Sequence, residues 1–255
     1  MSEYQKLLDK AAQVILNAHH TTAFTGAGIS VESGIPPFRG KDGLWSRYDP
    51  NCLDLDAFYR NPEKSWKLIN EIFYDFFGKA HPNPGHESLA ILEKMGYLHA
   101  VITQNIDNLH RLAGNKQVIE FHGTSGRLKC TQCHQTVIYQ PEYLSTLPPQ
   151  CKQCGGILKP DFIFFGEAIP LDAYHDAMHE AKTADVFLVI GTTGEVYPAS
   201  TIPWQAKTHG AVMIEINPES SSYTHSMTDI YLKGKAGEML PALVETIKNH
   251  VSSEH

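Results

Sequence analysis

Four of the five cysteines fall in two tight pairs, Cys130-Thr-Gln-Cys133 and Cys151-Lys-Gln-Cys154, with 17 residues (134–150) between them. This is the spacing of a four-thiolate zinc ribbon. Each CxxC knuckle turns two sulfurs onto one ion, and two knuckles complete a tetrahedron. Four protein ligands leave no position for water, so the chemistry expected of this zinc is structural. His134 adjoins the first knuckle but finds the ligand set already full. A redox dithiol is the competing reading of such cysteines.

A second candidate lies upstream. Gly26-Ala27-Gly28-Ile29-Ser30 follows a short β-rich run, as a phosphate-cradling loop does. The next glycine is Gly34, and Val31 stands where GxGxxG requires its third glycine. The ordinary dinucleotide fingerprint therefore fails, and a plain structural turn remains an equal reading of this loop.

Helices and strands must position these groups. Leu7, Leu8, Ala11, Ala12, Ile15 and Leu16 recur at helical spacing, which predicts a helix over 3–18. Residues 21–25 (TTAFT) read as a buried strand entering a turn, and 98–103, 117–121, 185–191 and 211–217 repeat that form. Helix-like segments at 85–95 and 171–182 precede some of these strands. Alternation of this kind predicts a doubly wound parallel sheet, an α/β Rossmann-like architecture, with ligands beyond the carboxyl ends of the strands. Those ends carry Gly26–Ser30, Gln104–Asp107, His122–Gly123, Gly191–Thr193 and Asn217. Two segments break the alternation. Residues 44–84 are helical and aromatic (Phe58, Trp66, Phe73, Phe76, Phe77), and 124–158 hold the cysteines. The expected organisation is a nucleotide domain from 1–43, 85–123 and 159–255, with 44–84 and 124–158 forming a small lobe. A cleft between the two is the default ligand site.

The chain has 255 residues, 42% hydrophobic and 19% charged, which suits a globular protein. A formal charge of -7 weighs against direct nucleic-acid binding but suits a lysine-rich peptide partner. The amphipathic first 20 residues lack the apolar core of a secretory signal, and no stretch is apolar enough to span a membrane. Paired cysteines without a signal favour metal over disulfides. A cytoplasmic enzyme is expected.

Further motifs follow in order: Gly34-Ile35-Pro36-Pro37-Phe38-Arg39, Thr103-Gln104-Asn105-Ile106-Asp107, His122-Gly123, Phe165-Gly166-Glu167, Gly191-Thr192-Thr193 and Asn217-Pro218-Glu219. With GAGIS and the two CxxC pairs, this series resembles the sirtuin family, of the prokaryotic type, from about residue 20 to Ala236. The resemblance implies a protein-lysine deacylase that consumes NAD and acts on acyl-lysine proteins or peptides. Its products would be nicotinamide, free lysine and O-acyl-ADP-ribose.

The same resemblance implies roles for individual residues. His122 matches the family's base for a ribose hydroxyl, and an ordinary pKa of about 6.5 suits imidazole to that exchange. Asp107, by its carboxylate, and Ile106, by its backbone, match the residues that hold the nicotinamide carboxamide. Asn105 and Gln104 match those that orient the nicotinamide ribose and a water. His122, Asn105 and Asp107 form the expected catalytic set. Phe38 and Arg39 match the cofactor loop. Gly26, Ala27, Gly28 and Ser30 would line the pyrophosphate, and Gly191, Thr192, Thr193, Asn217, Glu219, Lys235 and Ala236 the adenosine half. Phe165, Gly166 and Glu167 match the segment that pairs with substrate peptide, with Ile163 and Phe165 walling the lysine tunnel.

The pattern has three departures. Pro37 fills the variable position of GIPxFR. Thr193 replaces a usual serine, and Gly194-Glu195 a more apolar pair; a carboxylate at Glu195 would favour basic residues beside the lysine. Gly43–Pro50 (GLWSRYDP) resembles the desuccinylase branch, but that branch carries a Tyr and an Arg three apart after a Trp. Here Trp66 is followed by Ile69 and Ile72, so acetyl and longer apolar acyl groups are expected over succinyl. ADP-ribosyl transfer or NAD hydrolysis is the enzymatic alternative, and an NAD-sensing zinc-ribbon module the non-enzymatic one.

Overall fold

The computed structural model describes residues 2–37 and 43–253. Phe38 and Arg39, expected at the cofactor, lie outside the described residues.

The chain opens with α1 (Glu3–Leu16), capped by the Ser2 hydroxyl, which accepts from the Gln5 amide. It buries Leu8, Ala11, Ala12 and Ile15, the stripe that its spacing predicts. Strand β1 (Thr21–Thr25) is buried along its length, and a tight 3₁₀ segment, Ala27–Ser33, follows it. Next come α2 (Leu55–Arg60) and α3 (Pro62–Ile69), then a π-helical turn over Asn70–Phe76. The chain returns through α4 (Pro84–Lys94), β2 (Ala100–Thr103), α5 (Leu109–Ala113) and β3 (Val118–Glu120). The cysteine region holds β4 (Gly123–Cys130), β5 (Thr136–Ile138) and β6 (Leu158–Phe162). The last third is α6 (Leu171–Thr183), β7 (Val186–Ile190), α7 (Thr201–Thr208), β8 (Val212–Asn217), β9 (Ile230–Lys233) and α8 (Ala236–Ser253).

Six strands form one parallel sheet in the order β3-β2-β1-β7-β8-β9. Side chains alternate between its faces. Ala23, Val101, Leu188 and Ile214 pack with α1, α4 and α8, whereas Phe24, Ile102, Phe187 and Met213 pack with α6 and α7. This is the doubly wound arrangement expected from the strand–helix alternation. The order reverses between β1 and β7, the switch point at which a sheet of this kind forms its ligand crevice.

A separate antiparallel sheet, β5-β4-β6, carries the cysteines. It runs past the 124–158 bounds expected from composition, because Gly123 pairs with Phe162 and both strands continue toward the large sheet. Side chains from 44–84 and from the ribbon share one buried cluster with Ile106, in the loop after β2, and Leu109, the first residue of α5. Trp66, fully buried there, donates from Nε1 to the Leu158 carbonyl at 2.8 Å, tying the helical insertion to β6. Among the described residues, no helix is long and apolar enough to cross a membrane.

Candidate active site

The crevice floor is made where two strand ends nearly touch. The Gly28 amide donates to the Gly191 carbonyl at 2.8 Å, and the Gly26 amide to the Ile190 carbonyl at 3.0 Å. A Cβ on Gly28 would lie 2.7 Å from the Gly191 Cα, and Gly191 itself has φ +62°. Glycine is required here by backbone approach and, at Gly191, by a left-handed conformation. Among the described residues, no side chain caps the Ala27–Ser33 turn.

Next to this floor, the chain after β2 supplies amides and a carboxylate. Asn105 is buried, and its Nδ2 donates to the Gly26 carbonyl and to Ser30 Oγ, both at 3.1 Å. That leaves its Oδ1 as the acceptor for a ligand. Ser30 Oγ donates in turn to Asp107 Oδ2 at 2.7 Å, while Asp107 Oδ1 accepts the Leu109 amide at 3.0 Å. Burial raises the Asp107 pKa, against the opposing donors from Leu109 and Ser30. Ile106 is buried, and its carbonyl is taken by the Ser125 amide and hydroxyl. Gln104 Nε2 donates to Thr192 Oγ1 at 3.1 Å, bridging β2 to the loop after β7.

His122 follows β3. Its Nδ1 lies 3.0 Å from the Gln104 carbonyl, so Nδ1 carries the proton and Nε2 keeps its lone pair. Burial lowers the His122 pKa, and the bond to Gln104 only partly offsets this. A neutral imidazole with a free Nε2 is the form a general base needs.

The sequence pattern passed over a layer beneath these residues. His86, at the start of α4, accepts the Asn83 amide at Nδ1 and lies 3.4 Å from Ser30 Oγ through Nε2. Its ring packs against that of His110 at 4.9 Å, and His110 Nε2 lies 2.9 Å from Thr25 Oγ1. Burial lowers the His86 pKa to about 4 and holds that of His110 well below the ordinary value. Both rings are thus neutral packing groups that fix Ser30 and Thr25. Only their burial identifies them, and a lone histidine in sequence does not announce it.

Across from these residues, at the ends of β7 and β8, Asn217 Nδ2 donates to the Thr192 carbonyl at 3.2 Å, and Thr193 Oγ1 lies 3.4 Å from Glu195 Oε2. Glu219 and Lys235 are exposed at the rim, and Ala236 is buried at the start of α8. The structure thus brings together at the strand ends Gly26, Ala27, Gly28, Ser30, Gln104, Asn105, Asp107, His122, Gly191, Thr192 and Asn217.

The substrate candidates occupy the chain after β6. The Ile163 amide donates to the His122 carbonyl at 2.9 Å, placing this segment beside the histidine. The Phe165 amide and carbonyl are already bonded to Leu53 and Leu55. The Phe165 ring is about half exposed, at 51%. Gly166 has φ +92° with open space around it. Glu167 turns inward, where its Oε2 accepts from buried Lys159 Nζ at 2.9 Å and from the Phe164 amide at 2.7 Å. This segment therefore offers Phe165 and open backbone at Gly166, while the Glu167 carboxylate holds the turn.

The four paired cysteines meet at one point. Their Sγ atoms all lie within 4.8 Å of one another, with Cys130–Cys154 at 3.5 Å and Cys133–Cys151 at 3.8 Å. Sulfurs at about 2.3 Å from a tetrahedral zinc stand roughly 3.8 Å apart, so this donor set fits the ion. Although burial opposes ionisation, the Cys133 and Gln132 amides lower the Cys130 pKa to about 6 and favour the thiolate. Cys52, the fifth, is buried apart from them, and burial pushes its thiol up to about 11.

Comparison with known proteins agrees with this geometry. The model of the Sir2 family matches residues 26–198. The NAD-dependent protein deacylase of Pyrococcus furiosus is 47% identical over 248 residues, covering 95% of this chain and 98% of the relative. A solved Sir2 homolog–NAD complex superposes with a TM-score of 0.87 at 41% identity, covering 95% of this chain and 94% of the other. A Sir2 structure with a deacetylated p53 peptide and 3'-O-acetyl ADP ribose gives 0.85 at 32% identity, covering 93% and 97%. From the glycine floor to the cysteine cluster, this chain belongs to the Sir2 family.

Proposed function

We propose that the protein is an NAD-dependent protein-lysine deacylase that releases nicotinamide, free lysine and O-acyl-ADP-ribose. The observation that carries this reading is His122, half-buried at the strand ends with Nδ1 held by the Gln104 carbonyl and Nε2 without a partner among the described residues. Related proteins named as NAD-dependent deacylases and solved with NAD or with a deacetylated peptide support it.

NAD, when bound, supplies an electrophilic ribose carbon with nicotinamide as the leaving group. The uncapped turn at Ala27, with Gly26 and Gly28, meets the pyrophosphate. Each Asp107 oxygen has one protein donor and a lone pair to spare for the carboxamide. The Ile106 amide faces the same group, its carbonyl being taken by Ser125. The Asn105 amide adds no charge beside a developing positive centre, and its free Oδ1 orients a ribose hydroxyl or a water. His122 Nε2 takes the proton from a ribose hydroxyl. Thr193, Asn217, Glu219, Lys235 and Ala236 receive the adenosine half, and Phe38 and Arg39 belong to the cofactor loop. Ile163 and Phe165 wall the lysine stem, and Gly166 offers its backbone to an extended peptide. Cys130, Cys133, Cys151 and Cys154 hold a structural zinc.

The acyl preference follows from Ile69 and Ile72. Both are fully buried in the apolar cluster shared with Phe162 and Phe164. A succinyl carboxylate brought against them finds no fork-shaped cation, a cost of several kcal/mol. Acetyl-lysine peptide should therefore turn over at least tenfold faster than its succinyl counterpart. Equal or faster succinyl turnover would refute the preference.

The decisive experiment incubates the protein with NAD and acetyl-lysine peptide and seeks O-acetyl-ADP-ribose by mass spectrometry. His122→Ala should abolish that product while zinc content and thermal unfolding stay unchanged. Free ADP-ribose without deacetylated peptide would instead indicate NAD hydrolysis, and label on the protein ADP-ribosyl transfer.

A further inference from the structure

Glu215 lies on β8 with no exposed surface, and among the described residues no cation pairs with it. A buried carboxylate without a counter-ion survives only where enough donors converge on it. Here four do. Glu215 Oε1 accepts Asn217 Nδ2 at 2.9 Å, Ser221 Oγ at 2.6 Å and Thr224 Oγ1 at 2.9 Å, and Oε2 accepts Thr228 Oγ1 at 2.7 Å. Residues two apart on a strand share a face, so Met213, Glu215 and Asn217 all point to the α6–α7 side.

The consequence falls on Asn217. Its Nδ2 is spent on two acceptors, Glu215 Oε1 and the Thr192 carbonyl. An amide so held cannot turn over without setting its carbonyl oxygen against the Glu215 carboxylate. Among the described residues no donor reaches Asn217 Oδ1, which is left as a fixed acceptor for a hydroxyl. The other three donors gather the 218–228 loop over the same carboxylate. That loop reaches back to the chain after β7, through the Ser222 amide to the Thr193 carbonyl at 3.0 Å and Ser222 Oγ to the Gly194 carbonyl at 3.2 Å.

We propose that Glu215 is a positioning residue for the adenosine half of NAD: it fixes the Asn217 amide with its carbonyl oxygen toward a ligand hydroxyl. This rests on the NAD-binding reading above. Glu215 touches no ligand; it acts through Asn217.

The test is calorimetric titration of the zinc-loaded protein with ADP-ribose, which occupies the adenosine side without turnover. Glu215→Ala should weaken ADP-ribose binding by about tenfold or more, the worth of one or two buried hydrogen bonds to a charged group. The KM for acetyl-lysine peptide at saturating NAD should not change. Glu215→Gln keeps one oxygen for the three Oε1 donors, and the Thr228 hydroxyl can turn to accept, so binding should stay within about threefold. Asn217→Ala and the double variant complete a cycle. If Glu215 acts through Asn217, the double variant binds no more weakly than Asn217→Ala alone. Additive losses, or undiminished binding in Glu215→Ala, overturn the proposal. Should Glu215→Ala not fold, Glu215→Asp keeps the charge but draws the carboxylate back by one methylene. The same weakening is expected from it, and undiminished ADP-ribose binding by that variant overturns the proposal equally. If the unaltered protein does not bind ADP-ribose, it is the NAD reading that fails.

Discussion

At His122 the ring orientation and the ionisation state have separate causes. The Gln104 carbonyl sets which nitrogen holds the proton, and burial sets how readily the ring takes a second. Because burial dominates, the folded pKa lies below the ordinary histidine value of about 6.5. In its proposed role as base the ring is neutral above its own pKa, so activity should rise with pH through that value and level off above it. A pH profile of kcat/KM for peptide should place this acidic limb below pH 6.5; a limb centred above 7 would contradict the burial argument. His86 makes a second, thermodynamic prediction. Its folded pKa of about 4 is depressed relative to the unfolded ring, so the unfolded chain binds the extra proton. Stability should therefore fall as pH drops from about 6.5 toward 4, by about 1.4 kcal/mol per pH unit for one such group. His110, lowered for the same reason, steepens the slope. Denaturant midpoints measured across that range test this, and His86→Gln should flatten the curve.

Among the elements, the parallel strands were the most legible in the sequence. Residues 21–25 form β1 as their run of β-rich types predicts, and the runs at 98–103, 117–121, 185–191 and 211–217 each contain a strand. Their ends are shorter than the apolar runs, because pairing stops where a neighbour stops, which one strand's composition does not encode. The turn residues were legible too, since Gly26 and Gly28 stood out before their neighbour across the crevice was known. The close approach that requires glycine at both positions was not legible, because it depends on Gly191, more than 160 residues away. Glu215 was missed for a related reason: a glutamate inside an apolar strand shows its purpose only when Ser221, Thr224 and Thr228 fold back onto it. Gly28→Ala tests the crevice directly. Its Cβ would meet the Gly191 backbone at 2.7 Å. The two strand ends must then part, at about 1–3 kcal/mol for an overpacked site. A lower unfolding temperature should accompany a NAD KM raised about tenfold or more, with peptide KM little changed.

At the scale of the whole molecule, the ribbon is part of the crevice. Strand β4 starts at Gly123, the residue after His122, and ends in the zinc-site Cys130. Strand β6 runs back from the ribbon to Phe162, and the next amide, that of Ile163, donates to the His122 carbonyl. Removing zinc with a strong chelator should unfold the ribbon and abolish deacylation, although no cysteine touches the reacting atoms. Restored zinc should bring activity back, as measured by turnover against bound metal. The two arms that carry the proposed base and the proposed substrate wall leave from one anchor, so loss of the metal should switch the catalyst off as a whole. A half-loaded preparation should behave as a mixture of competent and silent molecules: the maximal rate falls in proportion to zinc while both Michaelis constants stay where they were.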